Sequence, residues 1–449
     1  MNPSYHTEPS YHTDRLQPND AKCSSRRRFF QTGAMAFGLC STRPATASAD
    51  DSPRRIRQVR LHPVTMSRIY TTHVAPAGGH AEGKAGSRYL LLELTTEDGT
   101  SGWGELSDIE PTWNTPRDSV LQRFLERRLK DRDVLYRPRI SAEVAKELPT
   151  DWHRELRRML ATTVDTALLD LAGRMHQVPA YELLGGLYRD RLPISWVAFI
   201  RDTASLEEEI RLKAAAGFRA YKLKVGQDFK ADMEHVRTVR AVAGPDIYLK
   251  VDASGSWEEK EAIEKIQTLV KLGVDAVETP IRAASRDIAK NHPELVNDNV
   301  QQVAESLARV RRAVPAKIIE HVVDFSDEFS LALAHTRAID VFNVAVSQAG
   351  SVARAQRLIQ IAEAADIKVL LGSTVELGVG TACALHVGCA ARGVTISSDL
   401  VGPGLLVDDV IKQSFQYQQG DLQIRHAAGL GVTPAADKLA KYRTKPAPS

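Results

Sequence analysis

No run of about 18 apolar residues occurs in the chain, which excludes a multi-pass membrane protein. An excess of one charge sign is also missing. The 59 basic side chains outnumber the 56 acidic ones by too little to suggest nucleic acid as a partner. Cysteine is scarce, with four in 449 residues, so no disulfide framework is implied. Cys23 and Cys40 precede residue 50, while Cys383 and Cys389 sit in an apolar helical stretch where a thiol acts as a small hydrophobe. No Gly-x-Gly-x-x-Gly follows an early strand, which counts against a dinucleotide-binding sheet. What is present, 43% hydrophobic and 26% charged residues, belongs to a folded chain rather than a disordered or collagenous one, and the length predicts two or three domains.

Near the start, Ser25-Arg26-Arg27-Arg28-Phe29-Phe30-Gln31 is followed by the short apolar run 33–39 and by Ala47-Ser48-Ala49. A basic region, a short apolar region and a small-residue cleavage site, in that order, describe a signal peptide. Paired arginines with Phe-Phe behind them are similar to a twin-arginine signal, the type that exports folded proteins. The sequence thus predicts an exported, periplasmic or otherwise extracytoplasmic protein with no membrane anchor after cleavage. A plain basic tail, or a lipid-bearing Cys40, are the alternatives.

The rest divides by texture. Strand patterns at 56–61, 89–95 and 102–105 surround a Gly-rich segment, 74–87, that reads as a mobile loop, and helical patterns fill 117–176. This is a small α+β unit. From about 190, short apolar strands alternate with amphipathic helices. Strands are predicted at 194–200, 220–225, 247–252, 276–279, 316–320, 341–345, 368–371 and 394–397. Eight such strands predict an α/β fold, a (β/α)₈ TIM-like barrel with an N-terminal α+β capping domain; the other pattern that fits is an open doubly wound sheet. The expected division is 1–49 leader, 50–185 cap, 186–405 barrel, and 406–449 packing back on the cap.

Barrel enzymes carry their chemistry where strands end, so charged strand ends are the candidates. Asp252, Glu278 and Glu320 close three consecutive strands. Three hard oxygen donors from neighbouring strands suit Mg²⁺, and close carboxylates need a cation to stay ionised. The preceding strand carries Lys222 and Lys224, two apart and therefore on one side. Two ammonium groups side by side lower each other's pKa, and a lysine so tuned can act as a general base.

Lys222-x-Lys224, Val251-Asp252-Ala253, Glu278-Thr279-Pro280 and Ile319-Glu320-His321 resemble the enolase superfamily, and within it the mandelate racemase and muconate lactonizing groups. So do Asp98-Gly99-Thr100-Ser101-Gly102-Trp103-Gly104-Glu105 and Gln348-Ala349-Gly350-Ser351. The resemblance spans roughly 55–430. It implies Mg²⁺ on Asp252, Glu278 and Glu320, a substrate carboxylate on that metal, removal of its α-proton to give a stabilised enediolate, and a homo-oligomer.

The departures from this pattern are informative. Muconate lactonizing members carry a second lysine at the end of the sixth strand, a position occupied here by Ala345. Mandelate racemase members carry an Asp there and a His on the seventh strand, yet 370–376 contains no His. The usual Asn-Gln after the first metal ligand is Ser254-Gly255. Strong bases therefore stand on one face only, and a one-base reaction is expected. Lys224 is assigned as base with Lys222 as its tuning partner, and dehydration of a sugar acid is favoured. The alternatives are a cycloisomerase, an epimerase, or a non-catalytic relative that binds metal and a carboxylate. His80, His321, Asn343 and Glu376 are further candidates for touching a small carboxylate substrate; His321 is expected to face the barrel wall unless the chain bends there. His73 shares the cap loop with His80, and Trp103 and Trp257 read as packing residues.

Overall fold

The computed structural model describes residues 54–76, 82–281 and 296–444. The expected export signal and His80 lie outside them.

Three antiparallel strands open the described chain: β1 (Ile56–Thr72), β2 (Lys84–Thr96) and β3 (Ser101–Ile109). The β2–β3 turn forms because Gly99 takes φ 82 and Asp98 Oδ1 accepts from Thr96 Oγ1 at 2.6 Å and Thr100 N at 3.0 Å. Pairing of β1 with β2 runs as far as Thr72 opposite Lys84, so the expected loop over 74–87 gives up its last four residues to β2. Helices α1 (Asp118–Leu129), α2 (Arg137–Glu147) and α3 (Arg154–Met175) follow. Two thirds of α3 is buried, and it presses on β3 so closely that a β-carbon at Gly104 would run into the Thr163 carbonyl.

The second part is a curled parallel sheet in the order β11-β10-β9-β8-β7-β6-β5. Its strands are β5 (Ser195–Ala198), β6 (Ala220–Lys224), β7 (Tyr248–Asp252), β8 (Ala276–Glu278), β9 (Lys317–His321), β10 (Val341–Asn343) and β11 (Lys368–Leu370), each preceding a helix or helical turn; β4 (Arg191–Pro193) lies just before them. These are the predicted strands, most of them slightly shortened and β9 moved on by one residue. The eighth is different. Segment 394–398 makes only isolated bridges, Val394 to Val369 on one side and Ser398 to Ile194 on the other. Backbone bonds from Ile396 N to Val369 O and from Ser195 N to Ser398 O nevertheless join the last strand to the first, so the barrel closes. A continuous apolar core runs through it, and a second fills the cap.

The chain beyond 406 returns to both parts. Strand β12 (Asp421–Gln423) pairs with β4. Thr65 N donates to Tyr442 O at 2.9 Å and Thr444 N to Pro63 O at 2.9 Å. Asp170, fully buried on α3, accepts from Trp103 N of β3 (2.9 Å), Leu430 N (2.6 Å) and Arg174 Nε (3.0 Å), tying cap sheet, cap helix and returning segment together. Trp103, Trp257, Cys383 and Cys389 are buried, and both cysteines are free thiols.

Candidate active site

Strand register sets the site. Lys224 pairs with Asp252, and Asp252 with Glu278, across β6, β7 and β8, while Glu320 lies one step beyond the residue opposite Glu278. The strand ends open into a cleft of about 320 Å³ between barrel and cap. Its floor includes Lys222, Lys224, Asp252, Glu278, Asn343 and Asp399; its cap side includes Trp113, His153 and Arg154.

Lys224 Nζ donates to Asp252 Oδ2 at 2.6 Å. Lys222 does more than sit beside it. Its ammonium is within 2.8 Å of Asp399 Oδ2, 3.1 Å of Glu278 Oε2 and 3.6 Å of Asp252 Oδ2. Burial works against the charge, but Asp399, Glu278 and Asp252 outweigh it and hold Lys222 well above the ordinary lysine value. The expected lowering of Lys222 by its neighbour is therefore reversed, because three carboxylates surround its ammonium. Asp399 accepts a second ammonium, Lys250 Nζ, at 2.7 Å. Neither Asp399 nor Lys250 is among the residues singled out from the sequence. Both were accessible to the same reasoning: Lys250 lies two residues before Asp252 on one strand, and Asp399 ends the eighth strand segment.

Asn343 Nδ2 donates to Glu278 Oε1 at 2.7 Å. Glu320 is buried beside this group and accepts from Thr279 Oγ1 at 3.2 Å, but it does not line the cleft. His321 does. Expected to face the wall, it turns inward because a 3₁₀ turn, Val322–Asp324, begins at the next residue. Glu376 is buried away from the cleft. Its carboxylate accepts from Ser347 Oγ (2.8 Å), Thr374 N (2.9 Å) and Ser373 Oγ, so it braces the loop after β11 rather than meeting a substrate. His73 also stands off the cleft and joins cap to barrel through its carbonyl, which accepts from Ile200 N at 3.0 Å.

The cap side was not legible from the sequence. His153 caps the start of α3, with Nδ1 accepting from Glu155 N at 3.3 Å, and stacks on Trp113 with ring centroids 5.4 Å apart. Arg158, behind them, is ion-paired to Asp324 at 2.8 Å and to Glu155.

Backbone strain gathers here. Val375 (φ 61), Thr279 (φ 42), Ser254 (φ 51) and Asp108 (φ 48) adopt left-handed conformations in or beside the cleft. Such residues cost about 1–3 kcal/mol each and persist where surroundings over-determine them. Ser254 N and Oγ both bond Asp252 Oδ1, and Tyr89 Oη donates to Val375 O at 2.8 Å.

The residues fit a magnesium ion. Among the described residues no three acidic, His or Cys side chains already form a metal cluster. However, Mg²⁺ commonly takes only one or two carboxylates, with water and substrate completing its shell. Asp252 and Glu278 meet that requirement, since their oxygens already converge on the ammonium of Lys222. The donor set is all oxygen, and three carboxylates (Asp252, Glu278, Asp399) face the ammonium groups of Lys222, Lys224 and Lys250.

A model described as "Mandelate racemase / muconate lactonizing enzyme, N-terminal domain" matches residues 64–185, and one described as "Enolase C-terminal domain-like" matches 205–438. Muconate cycloisomerase 1 of Acinetobacter baylyi is 28% identical over 365 residues, covering 79% of this chain and 91% of the relative. The L-Ala-D/L-Glu epimerase of Bacillus subtilis is 24% identical over 353 residues, covering 77% and 89%. Among solved structures, 2-chloromuconate cycloisomerase from Rhodococcus opacus has a TM-score of 0.75 at 23% identity, covering 87% of this chain and all of the other. A dipeptide epimerase from Enterococcus faecalis, complexed with Mg and L-Leu-L-Tyr, has a TM-score of 0.71 at 23% identity, covering 84% and 99%. These structural likenesses speak for the fold. By both domain models, the chain belongs to the mandelate racemase/muconate lactonizing enzyme family of the enolase superfamily.

Proposed function

We propose that the protein is a Mg²⁺-dependent isomerase that transfers one proton at the carbon α to a substrate carboxylate, by a cycloisomerase-type reaction with Lys224 as its only proton-carrying side chain. One observation carries this reading. In an eight-position barrel the second and sixth strands face each other. Lys224 ends the second, while the corresponding place after the sixth holds Ala345, fully buried and without a titratable group. An epimerase working by two bases needs a group on each face. The relatives named above are isomerases, which favours this reading over sugar-acid dehydration.

Asp252 and Glu278, which line the cleft, are proposed to hold the Mg²⁺, with Glu320 buried beside them as a third ligand only if its carboxylate turns towards the ion. When bound, the ion would lower the cost of negative charge on the substrate carboxylate. In the ring-closing direction, a second carboxylate of an unsaturated diacid adds to a carbon–carbon double bond. The C–O bond forms, the π electrons move towards the first carboxylate, and the Lys224 ammonium gives its proton to the α-carbon. The reverse reaction returns that proton to Lys224. Lys222 is fixed by three carboxylates and does not move a proton. Residues 25–49 are read as an export signal, on the order of their sequence features alone.

The test is incubation with Mg²⁺ in D₂O of unsaturated dicarboxylates such as cis,cis-muconate, of dipeptides and of aldonic acids, followed by proton NMR. A lactone carrying one deuterium on the α-carbon is expected. Inversion of a dipeptide α-carbon would instead require a second base. Binding without turnover or exchange across the panel would favour a carboxylate-binding relative.

A further inference from the structure

Asn343, at the end of β10, is 1% exposed and lies on the cleft floor. Its two polar atoms have opposite fates. Nδ2 donates to Glu278 Oε1 at 2.7 Å, while the other Glu278 oxygen faces Lys222 at 3.1 Å. A carboxylate can only accept, so the amide orientation is fixed by chemistry. Oδ1 must then point away, and among the described residues it is buried without a hydrogen-bond partner. It points at Gly372: a β-carbon there would clash with Oδ1 and stand 3.3 Å from the Ala345 β-carbon. A buried acceptor left unsatisfied is rare in a native fold and asks for a reason.

We propose that Asn343 is a positioning residue whose amide fixes Glu278 in the orientation that binds the divalent cation, and that Gly372 is glycine to make room for that amide. This rests on the reading of Glu278 as a Mg²⁺ ligand. Glu278 is held at both oxygens, by Asn343 at Oε1 and by Lys222 at Oε2. A carboxylate so restrained has little rotational freedom to lose when a cation arrives, which is how partners behind a ligand raise metal affinity. The unsatisfied carbonyl is the cost of directing the Nδ2 donor at Glu278.

The full chain would be titrated with MgCl₂ by calorimetry and with MnCl₂ by electron paramagnetic resonance, neither of which depends on turnover. Asn343→Leu removes the donor at similar volume. Gly372→Ala keeps Asn343 but drives its amide from its seat. Each is expected to weaken cation binding by about 10–100-fold. Because both act through one amide, Gly372→Ala should cost nothing further in an Asn343→Leu background. Cation affinity within two-fold of the unsubstituted protein in either folded single variant overturns the proposal, as do fully additive effects. If Asn343→Leu does not fold, Gly372→Ala alone decides. An unsubstituted chain that binds neither cation overturns the metal-site reading first, and this proposal with it.

Discussion

Lys222 Nζ and Asp399 Oδ2 lie 2.8 Å apart inside the barrel, one on its second strand and the other on the segment that closes it. Both are buried, and each has further partners of opposite charge, Glu278 for the lysine and Lys250 for the aspartate. Replacing Lys222 by Met leaves several buried carboxylates short of a cation. Breaking a buried pair in this way typically costs about 3–5 kcal/mol. Urea unfolding of Lys222→Met in the absence of Mg²⁺ should show a loss of that size, and a loss below about 1 kcal/mol would contradict the assignment.

Lys224 is different. It is partly open to the cleft and, among the described residues, pairs with Asp252 alone. Lys224→Ala is expected to reduce kcat by about 10²–10⁴-fold, the usual worth of a positioned acid or base. Mg²⁺ binding, followed by calorimetry, should persist. Full turnover in Lys224→Ala would assign the proton transfer to another group.

Glu105 offers a pH signature. It is buried at the seam of cap and barrel and accepts from Leu377 N, Gly380 N (both 2.7 Å) and Ser107 Oγ (2.9 Å). Burial pushes its carboxyl up to about 8; those bonds work against the rise, and nearby Glu376 adds to it. The folded state thus holds this proton more tightly than the unfolded state. Its stabilising contribution is complete below the unfolded value near 4.5 and is lost as pH rises towards 8. Stability should fall over that interval by up to about 1.4 kcal/mol per pH unit. The slope should flatten in Glu105→Gln, as read from urea midpoints at a series of pH values.

Asp170 joins three parts of the chain through one carboxylate. Asp170→Ala strands two buried backbone N–H groups and the Arg174 guanidinium. A loss of about 3–5 kcal/mol is expected, comparable with breaking a buried charge pair. Chemical denaturation checks it, with amide exchange at Trp103 and Leu430 predicted to quicken together.

Much of this was readable beforehand because strand-end charges and period-two spacing are local signals. Lys224, Asp252 and Glu278 fall on one cleft because register places them side by side, and register follows from the apolar runs that precede them. What could not be read was tertiary. His321 faces the cleft because a turn starts at the next residue. Glu376 is absorbed not only by its near neighbour Ser373 but by the hydroxyl of Ser347, which sequence alone does not bring near it. The stacked pair Trp113 and His153 comes from two cap elements, a short helical turn and the α3 N-terminus, whose meeting no pattern announces. The eighth strand was anticipated by its apolar run but forms only scattered bridges, since it spans a seam between two strands instead of extending a ladder.

The closing segment has a consequence for how the molecule is made. Asp399 completes the charge balance around Lys222, and the Leu430 N–H completes the hydrogen bonding of Asp170. Asp399 follows Lys222 by 177 positions, and Leu430 follows Asp170 by 260. Each early partner must wait for the later one, so neither set of contacts can close until the chain has been made past residues 399 and 430. A fragment ending before residue 399 would lack the carboxylate that Lys222 and Lys250 share, and would leave both buried ammonium groups short of that partner.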